Sequence, residues 1–195
     1  MTTPLYPTFR KRVDDAIEQL IKQQVTPWSF MTAGPPFRIK SFDGRQIAYQ
    51  GIKFEGSPRE VFWSRYIEPF LEQLCISEIE AAVLMAREKG VDARLLLPEL
   101  QELLSSGFRK VYERMADVDR RLRGEGFPNS VALASVDPEI QRMDKFLEER
   151  ILAEIKMWKP KSRLESWYQQ NRFLVWAIGT ILSIIGIFAK LWDLF

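Results

Sequence analysis

The chain contains no histidine and one cysteine, Cys75. The first absence removes imidazole from nucleophile activation, from general acid–base transfer and from metal ligation. The second excludes an intramolecular disulfide and a zinc site built on several thiolates. Cys75 lies between Leu74 and Ile76 in an apolar stretch, the setting of a plain buried thiol. An excess of one charge is missing too. With 28 basic and 26 acidic residues the net charge is +2, so the strongly basic balance of a nucleic-acid binder is absent and no nucleic acid is expected as partner. No phosphate-cradling glycine loop occurs: Gly124-Glu125-Gly126 is a fragment of the dinucleotide pattern and follows no strand. A Gly-x-Ser-x-Gly elbow is lacking as well. The first twenty residues are polar and charged, without the apolar core of a signal peptide.

Carboxylates are what remains for catalysis. The pairs Asp117 and Asp119, and Glu148 and Glu149, stand two and one positions apart on helical segments, so their side chains diverge and read as solvated surface. No catalytic residue, cofactor or metal site is expected. An enzyme without histidine, acting on a membrane-proximal substrate, is the last of three alternatives.

Against these absences stands one long hydrophobic run. Residues 173–189, FLVWAIGTILSIIGIFA, carry no charge over 17 positions. As a helix they would span roughly 26 Å, close to the ~30 Å hydrocarbon core of a bilayer. The run is apolar on every face, and Trp167, Tyr168, Trp176 and Trp192 flank it as interface anchors do. Lys156, Lys159, Lys161, Arg163 and Arg172 precede it, while Lys190 alone follows. The positive-inside bias therefore predicts a cytosolic N-terminal domain and a tail-anchored, single-pass protein in contact with membrane lipid. The membrane would be a bacterial inner membrane, or an organelle membrane in a eukaryote. Within the run, Gly179, Ser183 and Gly186 fall at i, i+4 and i+7, a small-residue face of the kind that lets two membrane helices approach. Self-association is the corresponding expectation.

The remaining chain reads as mainly α with a small β-hairpin. Phe9, Val13, Ile17, Leu20 and Ile21 recur at helical spacing over 8–25, and Thr26-Pro27 closes that helix. Arg10, Lys11 and Arg12 read as ordinary surface charge, with lipid or partner contact as the alternative. Between about 37 and 54 the period falls to two, and Asp43-Gly44 supplies a turn. Ile52 and Phe54 resume out of phase after Gly51, as a bulge or a new strand would require. Ser57 with Glu60 forms a capping box, Pro58 takes the first helical position, and Pro69 kinks or splits the helix that follows. That helix stops at Gly90. From Leu104 to Leu122 the 4-3-4-3-4 spacing calls for a long partner helix, preferably an internal antiparallel one. Gly124–Val136 is a hinge, and Asp137-Pro138 opens the last helix, whose stripe runs from Ile140 to Trp158.

Domain boundaries follow: 1–158 for the helical domain, 159–172 for a basic and aromatic juxtamembrane segment, 173–189 for the span and 190–195 for a short tail. The leading expectation is a protein-binding or regulatory module held at the membrane. The second is an oligomerising effector whose clustered spans disturb the bilayer when the domain is triggered. An unidentified protein partner is expected, with Trp28 and Tyr66 as its possible surface and Phe30 and Trp63 in the core.

Overall fold

The computed structural model describes residues 2–32, 36–41, 43–126 and 135–159, together with 171, 173, 176 and 180. The chain divides into two units, Met1–Trp158 and Lys159–Phe195. The first unit is mainly helical with a two-stranded antiparallel hairpin.

Four helices form its body: α1 (Tyr6–Leu20), α4 (Glu68–Lys89), α5 (Ala93–Gly124) and α6 (Asp137–Met157). Between α1 and α4 lie the strands β1 (Phe37–Lys40) and β2 (Gln46–Tyr49) and the short helices α2 (Ile52–Glu55) and α3 (Pro58–Phe62). Helix α5 is central and packs on α1, α4 and α6. Its 4-3 stripe from Leu104 to Leu122 is buried along its length. At about 1.5–3 kcal/mol for each large apolar side chain removed from water, this stripe is a substantial part of the unit's cohesion.

The heptad spacing finds its partners inside the molecule. Helices α4 and α6 run antiparallel to α5; Ser105 Oγ donates to Asp144 Oδ1 at 2.5 Å, and the Tyr112 hydroxyl donates to the Glu139 carbonyl at 3.5 Å. Helix α1 runs parallel to it. The Thr3 amide and hydroxyl donate to Glu99 at 2.8 and 2.6 Å, and Lys110 meets Asp14 at 3.4 Å eleven residues further along both segments. The two helices come close at Gly107, where a Cβ would stand 3.0 Å from Ile17 Cγ1.

Two prolines shape the other end. A π-helical turn, Ile21–Val25, precedes Thr26-Pro27, and a second, Trp63–Ile67, precedes Glu68-Pro69. Proline has no N–H for the α-ladder, and in both places the helix widens just before the missing donor. Pro27 opens a 3₁₀ turn, Thr26–Phe30, whereas Pro69 starts α4 and splits it from α3. At Pro69 the orphaned carbonyl four residues back is that of Arg65, and the Ser41 hydroxyl donates to it at 2.6 Å. The hairpin is thereby pinned to the second π-turn.

One expectation needs correction. Ile52 and Phe54 belong to helix α2, not to a strand or bulge. Gly51 and Gly56 bracket it with φ of 110° and 79°, a left-handed region that other residues avoid. The Ile52 and Lys53 amides then donate to the Met31 and Thr32 carbonyls at 3.0 and 3.3 Å, tying α2 back to the 3₁₀ turn. Arg10, Lys11 and Arg12 are exposed, in keeping with ordinary surface charge, with Arg12 paired to Glu78 at 2.9 Å and Arg10 to Asp14 at 3.7 Å. Helix α6 opens at Asp137-Pro138 with Val136 at its N-cap, and the Ser135 hydroxyl just before it accepts from the Asp137 amide at 3.1 Å.

At one end of the body lie the start of α5 and the end of α6, where the Arg87 guanidinium covers the Trp158 ring at 5.6 Å. The hairpin, α2 and α3 cap the opposite end. From Asp92 to Asp119 along α5 is about 40 Å at the helical rise.

Candidate binding surface at the hairpin end

Helix α3 begins as its sequence requires. Pro58 supplies a fixed φ where no donor is needed, and the Ser57 hydroxyl accepts from the Arg59 amide at 3.1 Å. The same hydroxyl donates to Asp119 Oδ1 at 2.6 Å, and Arg59 Nε stands 3.4 Å from Asp119 Oδ2. Ser57, Arg59 and Asp119 are all buried, at 0, 5 and 3 % exposure. This corrects the reading of Asp119 as surface charge. Asp117, two residues away, is exposed and paired with Arg120. Asp119 sits beside Val118 on the buried side of α5, where α3 covers it. Burial pushes its carboxyl above the ordinary range, against the opposing effects of the Ser57 hydroxyl and the Arg59 charge. A serine hydroxyl on a carboxylate resembles a nucleophile–base pair, but full enclosure of Ser57 leaves no approach for a substrate. The cluster instead fastens α3, and with it the hairpin end, to α5.

The hairpin's register pairs Phe37 with Tyr49, Arg38 with Ala48, Ile39 with Ile47 and Lys40 with Gln46. Its inner face delivers the Tyr49 ring edge-on to Phe62 at 5.3 Å, and the Tyr49 hydroxyl donates to the Gly56 carbonyl at 2.6 Å. Burial raises the Tyr49 pKa far above that of a free phenol. At the loop, Gly44 takes a φ of 87° and the Arg45 amide donates to Asp43 Oδ1 at 3.0 Å. That amide holds the Asp43 carboxyl below its usual range.

The aromatic residues divide differently from expectation. Trp28 is buried, with Phe62 at 6.0 Å, and so lies inside rather than on a partner surface. Trp63 is buried against Tyr112 at 5.2 Å. Phe30, expected in the core, is 67 % exposed beneath the Arg121 guanidinium, because the 3₁₀ turn directs Trp28 and Ser29 inward and Phe30 outward. Tyr66 is half-buried and forms a wall of a surface groove of about 530 Å³. That groove runs along β1, with Arg38, Lys40, Ser41 and Gln24 as its other polar walls. A second groove, about 490 Å³, lies on the β2 side and includes Arg45, Ser64 and Arg65.

Charge distinguishes this end. Residues 21–54 contain five basic side chains and one acid, Asp43. Asp43 is occupied by Arg45, at 3.5 Å. Among the described residues, Arg38, Lys40 and Arg65 have no ion-pair partner. Nothing in the sequence periodicity marked these three; the signal available was the charge imbalance of the segment. Cys75 is buried, and burial pushes its thiol up to about 12. No group of three or more Cys, Asp or Glu able to hold a metal ion occurs among the described residues.

Of the residues singled out at the membrane end, Lys156 and Lys159 lie within the described residues, in the last turn of α6 and just beyond it. Phe173, Trp176 and Thr180 are helical; Thr180 Oγ1 donates to the Trp176 carbonyl at 2.9 Å, and Trp176 is 67 % exposed. Lys161, Arg163, Trp167, Tyr168, Arg172, Gly179, Ser183, Gly186 and Trp192 fall outside the described residues. Among the described residues no helix is long and apolar enough to cross a membrane, and most of 173–189 is not among them. No family model, curated protein or solved structure matches the chain.

Proposed function

We propose that this protein is a single-pass membrane protein in which 173–189 anchors a cytosolic helical module that binds another protein. The observation that carries the anchor is the uncharged 17-residue run, preceded by Lys156, Lys159, Lys161, Arg163 and Arg172. The binding role is supported by the cationic, groove-flanked hairpin end. There Tyr66 and Phe30 are accessible and, among the described residues, Arg38, Lys40 and Arg65 have no ion-pair partner, while the buried Ser57–Asp119 pair offers no route to a substrate.

The test of the anchor is fractionation of the full chain beside a version ending at Gln170. Alkaline carbonate should leave the full chain in the membrane pellet and release the shortened one. Release of both would overturn the proposal. Protease added to intact membrane vesicles of known sidedness should digest the helical unit from the cytosolic face alone.

The spacing of Gly179, Ser183 and Gly186 favours a second reading, in which clustered spans perturb the bilayer. Membrane potential separates the two. Loss of potential that requires residues 171–195 would make the protein an effector, and normal potential in cells where the partner and the full chain are both present would leave it an anchor. Replacing Gly179 and Gly186 by Ile abolishes any detergent-stable oligomer if the small-residue face mediates it.

A further inference from the structure

The hairpin has two strands and therefore two open edges, and its hydrogen-bond parity decides what each edge presents. The Ser41 amide donates to the Arg45 carbonyl at 2.6 Å, which continues the register of the ladder into the loop. In an antiparallel pair, residues alternate between those that bond across the pair and those whose N–H and C=O point away from it. Counting back by twos from Ser41, Ile39 and Phe37 bond to β2. Arg38 and Lys40 turn their backbone groups outward, to the β1 edge, and among the described residues no strand pairs there. Both side chains are exposed and, among the described residues, without ion-pair partners. The edge forms one side of the 530 Å³ groove, with Gln24 and Tyr66 opposite. The amides, carbonyls and cations of Arg38 and Lys40 thus all front the same groove.

We infer that the β1 edge accepts an acidic, extended segment of a partner protein as a third strand, with carboxylates two residues apart set against Arg38 and Lys40. This inference rests on the reading of the domain as a protein-binding module. Main-chain bonds to Arg38 and Lys40 supply the docking, and side chains directly opposite on an added strand stand close enough to pair by charge. A second copy of the chain is a poor occupant: two β1 edges laid antiparallel would set Arg38 and Lys40 against each other's cations, the usual device by which edge strands resist self-pairing. A lipid surface is a poor occupant as well. It has no backbone groups with which to satisfy the edge.

The experiment uses the full chain in zwitterionic detergent micelles. The probe is a fluorescein-labelled ten-residue peptide alternating Asp or Glu with Val or Thr, compared with its Lys counterpart. Saturable anisotropy change is expected with the acidic peptide alone. The Lys40→Pro variant removes the outward amide without touching the ladder to β2, and should weaken binding by about tenfold or more. Arg38→Glu with Lys40→Glu should reverse the preference toward the Lys peptide. Hydrogen exchange should slow at the Arg38 and Lys40 amides on peptide binding and stay unchanged at Gln46 and Ala48. Absence of acidic-peptide binding would overturn the inference, as would unchanged affinity in Lys40→Pro. A self-dimer lost in Lys40→Pro, or binding to anionic vesicles lost in the double Glu variant, would also overturn it, in favour of self-association or lipid. The anchor is scored separately by carbonate retention. A retained chain that ignores the peptide loses this inference and keeps the anchor, and a released chain that binds it does the reverse.

Discussion

In the helical body most of the described arginines either meet a carboxylate, as Arg12 does Glu78, Arg109 does Asp144 and Arg142 does Glu68, or cover an aromatic ring, as Arg87 and Arg150 do. Around the hairpin, Arg38, Lys40 and Arg65 have no such match among the described residues. The backbone follows the same division. The body is made of long regular helices, while the hairpin end is assembled from two π-turns, a 3₁₀ turn and helices of four and five residues. Regular ladders satisfy their own backbone groups, so the body depends on packing. The irregular end depends on particular side chains: Ser41 on the Arg65 carbonyl, Tyr49 on the Gly56 carbonyl, and Ser57 with Arg59 on Asp119. The lesson is that stability and accessible chemistry occupy different parts of one small unit, joined through a buried charge cluster.

The sharpest way to break this division is to remove the join. Asp119→Ala takes the carboxylate from the enclosed Arg59 and should cost about 3–5 kcal/mol in urea unfolding, with the hairpin losing exchange protection first. The milder Asp119→Asn tests the charge itself. Because burial raises the carboxyl pKa in the folded state, the fold holds that proton more tightly than the unfolded chain does. Stability from this group is complete below the ordinary value of 3.8 and is lost as pH rises through the elevated folded value. Wild type should therefore gain on Asp119→Asn as pH falls from neutral to about 4.

A strike at the body alone is Gly107→Leu, which forces side-chain volume against Ile17 and Val13 and should cost about 1–3 kcal/mol. Below its melting temperature this variant should keep the hairpin grooves intact. A strike at the other end alone is Ser41→Ala, which leaves the Arg65 carbonyl without its donor and should cost about 1–2 kcal/mol. Combined with Pro69→Ala, which restores an amide to that carbonyl, the Ser41 effect should shrink by more than half; additive costs would refute the link between the two. The smallest effect is expected at Arg10→Ala, less than about 0.5 kcal/mol, since its partner Asp14 is reached across solvent.

Much of the body was legible because its signals are local and repeated. The stripes of α1, α5 and α6, the Ser57-Pro58 start and the Gly90 stop each depend on residues within a few turns. Pro69 announced a break, and the period-two segments announced the strands. What could not be read depends on distant partners or on small rotations. Asp119 looks like any helical acid until Ser57, 62 residues away, is placed on it. Trp28 and Phe30 sit in one turn of five residues, and only the tighter 3₁₀ pitch tells which is inside. The candidate edge lay further still from view, because the outward direction of the Arg38 and Lys40 amides follows from register, which composition does not encode.

Cys75 gives the molecule an internal clock. It is the lone thiol in the chain, it has no exposed surface, and burial keeps it protonated. A thiol reagent added to the native protein should therefore modify it no faster than the body around α4 opens, and each modification event records one opening. Where the reagent is concentrated enough for alkylation to outrun reclosing, the half-life, read by mass, reports how often that core opens without any engineered label. Its change on adding a bound partner would measure directly how far occupancy at the hairpin end is felt along the helices.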